Sequence, residues 1–174
     1  MNPSDNPHRR SGTVMLGVAW LLVIGGLYWF FNDWNATQGN PNTAQVLNSQ
    51  REEVTLLRNR DGHYVADGEI NGRAVTFLLD TGATWVVVPG TLARQIRLER
   101  AAAITVQTAN GRAAGYQTRL QSVRLGPIEM RDIGAVVTDG MGGDTVLLGM
   151  NFLQRLELTQ RDNRLTLRFP AATQ

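Results

Sequence analysis

Phe77-Leu78-Leu79-Asp80-Thr81-Gly82-Ala83-Thr84 runs directly into Trp85-Val86-Val87-Val88. One apolar run delivers a carboxylate into a Thr-Gly turn and a second apolar run leaves it. An acid therefore sits at the foot of a tight loop between two buried strands. Burial penalises an ionised carboxylate, so this one must be solvated, paired or hydrogen-bonded. Taken alone, an Asp-x-Gly turn is explained by an Asp side chain that bonds its own backbone. The choice between that reading and a chemical one depends on the rest of the chain.

The chain has 174 residues, 43% hydrophobic and 18% charged, enough for one globular domain with a real core plus an appendage. Its 17 basic residues are all arginine, scattered along the sequence, and the net charge of +2 is too small to argue for a nucleic-acid partner. There is no cysteine, so thiolate nucleophiles and thiolate zinc sites are excluded. The two histidines are His8 and His63, and His63 follows the turn residues Asp61-Gly62. Metal centres and Ser/His/Asp triads have little material here, and neither metal nor cofactor is expected.

Residues 1–12 are polar, contain Pro3 and Pro7, and read as a tail. Residues 13–31 carry no charge and are long enough, at about 1.5 Å per residue, to cross most of a hydrocarbon layer of about 30 Å. Tyr28, Trp29, Phe30, Phe31 and Trp34 gather at the far end of this run, where amphipathic rings favour the headgroup region. The expectation is a transmembrane helix, kept as an anchor because no Ala-x-Ala cleavage pattern follows it. Arg9 and Arg10 before the span put the N-terminus in the cytoplasm and the rest outside, on the periplasmic side of an inner membrane in a Gram-negative cell. Residues 32–51, rich in Asn, Gln, Thr and Gly, read as a flexible linker, and any self-processing is expected between Asn32 and Glu53. The main domain is expected at 52–170, with 171–174 as a tail.

Within the domain short strands follow one another, with Asn71-Gly72 as the strongest hairpin signal, because a type I′ turn needs positive φ at both central residues. Pro89 and Thr91 to Ile96 suggest a short helix. Ile104 to Thr108 and Tyr116 to Leu120 read as a long hairpin whose Gly/Ala-rich tip, 109–115, is flexible. A buried strand ends at Gly149, with a helical turn after it, and a terminal hairpin turns at Asp162-Asn163. Such a pattern argues for a small all-β barrel with one or two short helices.

Leu79-Asp80-Thr81-Gly82-Ala83-Thr84 is followed by Val146-Leu147-Leu148-Gly149-Met150-Asn151, with Gly149 standing 69 residues after Asp80. With this pair the chain resembles the retropepsin-like aspartic proteases, and the continuation Gly149-Met150-Asn151-Phe152-Leu153 is similar to their single-span, membrane-anchored bacterial members. The resemblance covers roughly Gly62 to Phe169 and implies a closed barrel of the retropepsin type. It implies that Asp80, Thr81 and Gly82 form the catalytic loop, with Thr81 locking two such loops through its hydroxyl. Ala83, Thr84, Leu148 and Gly149 would support the loop, and Ala109-Asn110-Gly111-Arg112 would be a flap over a peptide substrate. Such an enzyme needs two carboxylates sharing a proton, one acting as base on a water and the other as acid toward the scissile carbonyl. No other Asp here is followed by Thr/Ser-Gly, so the resemblance implies a homodimer with Asp80 from each protomer. Viral relatives commonly carry Arg after the second motif's Gly, where this chain has Met150, so the dimer contacts must differ. The alternative is a non-catalytic peptide-binding or scaffold module with the same fold.

Overall fold

The computed structural model describes residues 15, 17–30, 39–42, 53–108, 111–141 and 143–171. The chain divides into two units, Met1–Gln38 and Gly39–Gln174. In the first, Met15 and residues 17–30 are helical (α1), with exposed side chains. The expected span at 13–31 is described only in part. Residues 17–30 account for about 21 Å of helix, and among the described residues no helix is long and apolar enough to cross a membrane. The tail at 1–12, the remainder of the span, 32–38 and 43–51 of the linker, and residue 52 lie outside the described residues.

Among its described residues the second unit holds ten strands. β1 (Glu53–Leu57), β9 (Glu157–Arg161) and β10 (Arg164–Arg168) form a three-stranded antiparallel sheet in the order β1-β10-β9. The other seven are β2 (Val65–Ile70), β3 (Arg73–Leu79), β4 (Val86–Pro89), β5 (Ala103–Thr108), β6 (Gly111–Leu125), β7 (Ile128–Thr138) and β8 (Thr145–Leu148). Their order is β2-β3-β8-β4-β7-β6-β5, and an added pairing of β2 with β6 closes six of them into a barrel. The expected all-β closed barrel is present, with two short helices, α2 (Gly90–Gln95) and α3 (Met150–Leu153).

The Asn71-Gly72 turn forms as its residues require, with φ of 51° and 73°. It also closes the barrel. The Asn71 N–H donates to the Ser122 carbonyl at 3.0 Å, and the Asn71 side-chain oxygen accepts the Ser122 N–H at 3.1 Å. The core fills with Phe77, Ile70, Leu120, Ile133, Leu148 and Phe152, each almost wholly removed from water. At about 25 cal/mol per Å² of apolar surface, such side chains supply most of the drive to close the barrel.

Three expectations need correction. Residues 111–115 are not a flexible tip: β6 starts at Gly111 and pairs with β5 from Thr108↔Gly111 to Ala103↔Tyr116, because continuous main-chain pairing overrides Gly/Ala composition. Pro89 ends β4 and precedes α2 instead of lying within its first turn. Part of the presumed linker is docked: Asn42 is fully buried, its amide nitrogen donating to the carbonyls of Leu57 and Val65 at 2.9 and 2.6 Å and its oxygen accepting the Leu57 N–H at 2.6 Å. Asn40 reaches Asp67 at 2.8 Å. A short polar segment stays on a barrel when its side chains complete the hydrogen bonds of strand ends.

Candidate active site

The parallel pairing of β3 with β8 sets the root of the acidic turn. Leu79 lies beside Leu148, and the Asp80 N–H donates to the Leu148 carbonyl at 3.2 Å. The Asp80 carbonyl accepts the Ala83 N–H at 3.2 Å and closes the turn. Its carboxylate Oδ1 accepts the Gly82 N–H at 2.8 Å. The local Asx-type bond anticipated for an ordinary turn is therefore real, but it occupies only part of the carboxylate's capacity, since an ionised Asp offers about four acceptor positions. Asp80 is half-buried, whereas Thr81 and Gly82 are exposed. A Cβ at Gly82 would lie 3.1 Å from Asp80 Oδ1, so a larger residue would crowd the carboxylate.

The second motif grips the loop from the other side. Ala83 and Thr84 act through their carbonyls, which accept the N–H groups of Met150 and Asn151 at 2.8 and 3.0 Å. The Thr84 side chain is exposed. Gly149 is buried where a Cβ would stand 2.3 Å from the Trp85 carbonyl oxygen and 2.7 Å from that of Ala83. Backbone atoms cannot yield as a flexible side chain can, so this position requires glycine. Leu148 supports the site twice, by its carbonyl to Asp80 and by a side chain wholly inside the core.

Asn151 is the residue that sequence reasoning missed. Its side-chain oxygen accepts the Val86 N–H at 3.0 Å, and its amide nitrogen donates to the Gly134 carbonyl at 2.7 Å, so one side chain braces the start of β4 against β7. The available signal was a polar residue between Met150 and Phe152, in an otherwise apolar stretch. Trp85 was also passed over as part of an apolar strand. It is 47% exposed and lines a groove of 280 Å³ with Gln117, Arg119, Gly134 and Val136 among others. Asp132 hydrogen-bonds Arg119 and raises the guanidinium pKa further above its ordinary value, so Arg119 is a permanent cation at the groove.

The expected flap is described in part. Ala109 and Asn110 lie outside the described residues, Gly111 takes φ of 108°, and Arg112 is exposed. No hydrogen bond or ion pair joins Arg112 to the 80–84 loop among the described residues. The site as one chain builds it is a rigid loop offering one carboxylate. That is half of what acid-base hydrolysis by paired carboxylates needs.

Residues 66–155 match the family model described as "gag-polyprotein putative aspartyl protease". A Sinorhizobium sp protein, described as an uncharacterized protein in the cobV 5′ region, is 37% identical over 134 residues, which cover 74% of this chain. The match spans 58% of that relative's length. The crystal structure of a retropepsin-like aspartic protease from Rickettsia conorii is similar at a TM-score of 0.58 with 27% identity, covering 69% of this chain and 93% of that one.

Proposed function

The chain belongs to the retropepsin-like aspartyl protease family, and from that premise we propose that it is an aspartic endopeptidase whose active site needs Asp80 from two copies. The observation that carries this reading is the Asp80 turn itself: its amide is held to Leu148, its Oδ1 to the Gly82 N–H, and the carboxylate keeps unused acceptor positions at an exposed loop. A homodimer brings the two carboxylates together across a two-fold axis. One takes a proton from water as the water oxygen bonds to the carbonyl carbon of the scissile peptide. The other gives its proton to the carbonyl oxygen, and the C–N bond breaks as the nitrogen is protonated. Thr81 and Gly82 shape the loop, and the hairpin through Gly111 and Arg112 covers the substrate.

Replacing Asp80 by Asn tests the assignment. Cleavage of a peptide library should disappear while the far-ultraviolet spectrum and the unfolding midpoint stay unchanged. Cleavage that survives the change would refute the assignment of Asp80, whereas a native chain that binds peptides and cleaves none would be the non-catalytic module.

The enzyme is further proposed to be anchored by residues 13–31 in the inner membrane, with the N-terminus cytoplasmic and the protease domain periplasmic. The uncharged run, the preceding arginines and the helical, exposed state of residues 17–30 support this placement. The protein should sediment with membranes, and a chain starting at Gly39 should not. Recovery of the full chain in the soluble fraction would refute the anchor.

A further inference from the structure

β6 changes neighbours along its length. Its pairing with β7 runs from Leu125↔Ile128 to Gly115↔Thr138 and stops there, whereas its pairing with β5 runs from Tyr116↔Ala103 on to Gly111↔Thr108. Among the described strands, residues 111–114 therefore pair with β5 alone. A two-stranded hairpin is only marginally stable in water. Where this one points depends on what grips its base.

Thr138 supplies the grip. It is the last residue of β7 and is 2% exposed. Its hydroxyl donates to the Ala114 carbonyl at 3.0 Å, one residue beyond the end of the ladder, and accepts the Gly140 N–H at 3.1 Å. One buried side chain thus ties the stem of the hairpin to the chain that leads from β7 toward β8. Two glycines let these segments approach. A Cβ at Gly115 would stand 2.5 Å from the Val137 carbonyl oxygen, and one at Gly140 would stand 2.5 Å from the Ala113 Cβ. Asp139, between Thr138 and Gly140, pairs instead with Arg94 of α2 at 3.2 Å. Both of those side chains are largely exposed, and such a pair contributes little.

We propose that Thr138 is a positioning residue for peptide cleavage: its hydroxyl extends the β6–β7 ladder by one residue and sets the point at which the hairpin over the substrate leaves the barrel. The proposal deepens the endopeptidase reading above and rests on it. Thr138 acts through Ala114, holding the stem so that the hairpin meets a peptide already in place. A segment that must first be ordered costs binding energy. Valine would fill the same space, but it would leave the Ala114 carbonyl and the Gly140 N–H each short of a partner.

Thr138→Val in the full-length protein tests the role. KM for a peptide substrate should rise by about three- to tenfold, and kcat should stay within about twofold of native. Thr138→Ser, which keeps the hydroxyl, should restore the native KM. A general loss of stability would instead lower the amount of active enzyme and leave KM alone. Amide exchange gives a readout independent of cleavage: residues 103–108 and 111–114 should exchange faster in Thr138→Val than in the native chain or Thr138→Ser, with β3 and β8 unchanged. Asp139→Asn should not move KM.

Gly140→Ala presses a methyl against Ala113 from an exposed position and leaves the hydroxyl in place. It should raise KM in the same direction, and it decides the matter if Thr138→Val does not fold. A native KM in whichever of these variants folds, or a raised KM that Thr138→Ser does not restore, would overturn the positioning role and leave the Asp80 reading standing. Faster exchange with a native KM would overturn it equally. If the native chain cleaves no peptide, the endopeptidase reading fails and the positioning role fails with it.

Discussion

The Asp80 N–H donates to the Leu148 carbonyl at 3.2 Å, so the acidic turn is anchored by a strand residue that follows 68 residues later. β3 and β8 run parallel from Thr76↔Thr145 to Leu79↔Leu148. A turn that would be ordinary between two hairpin strands thus becomes a fixed loop between two barrel strands, and the two motifs form one structural unit.

Asp80→Asn should cost little stability. The amide oxygen can still accept the Gly82 N–H now bonded by Oδ1, and a half-buried site with no ion pair among the described residues tolerates such a change within about 0.5 kcal/mol. Urea unfolding of both proteins checks this, and a large drop in midpoint would mean that the carboxylate charge is structural.

Gly149→Ala should be far more damaging. The added methyl would stand 2.3 Å from the Trp85 carbonyl oxygen, and forcing a methyl into a packed site costs about 1–3 kcal/mol. The same shift would move the turn that Gly149 packs against. Stability and peptide cleavage should fall together, and a variant with native midpoint and native activity would contradict the geometry.

Asn151→Ala should remove one hydrogen-bond partner from each of the Val86 N–H and the Gly134 carbonyl. Each unsatisfied group costs about 1–3 kcal/mol when buried. Asn151→Asp keeps the acceptor and loses the donor, so its unfolding midpoint should also fall below that of the native chain. Unchanged denaturant slopes would place the effect in the folded state.

Asn42→Ala tests whether the docked segment belongs to the domain. Three hydrogen bonds to Leu57 and Val65 would be lost from a fully buried position, for an expected loss of about 1–3 kcal/mol. A chain starting at residue 39 should match the full chain in domain stability, and one starting at residue 43 should show the deficit. Proteolysis near the domain should spare 40–42.

The legible features were those whose physics is local. Asn71-Gly72 and Asp162-Asn163 announced their turns because few residues accept positive φ in succession. Alternation gave the buried face of β10, where Leu165 and Leu167 are buried, but not of β9, which buries no side chain and leaves Leu158 exposed, and small size with repeated turns implied a barrel. What stayed hidden depended on distant partners. Asn42 read as linker because its neighbours are polar, yet Leu57 and Val65 bury it. Along β6 and β7 the buried face changes phase near Gln121 and Asp132, where Asp132 takes φ of 59°. No simple period-two pattern survives such a reversal.

By itself the sequence determined the chemistry on offer: one Asp-Thr-Gly, no thiol, almost no histidine, and two motifs in the order of an aspartic protease. Residue types set the available functional groups, and they are read directly from the chain. Only the tertiary structure decided that β3 and β8 are parallel neighbours, that Asn151 and Gly149 hold the loop, and that β9 remains the open edge of its sheet. Those facts arise from hydrogen bonds and close packing between segments far apart in sequence, and local propensity contains no information about which distant strand will satisfy a given backbone group.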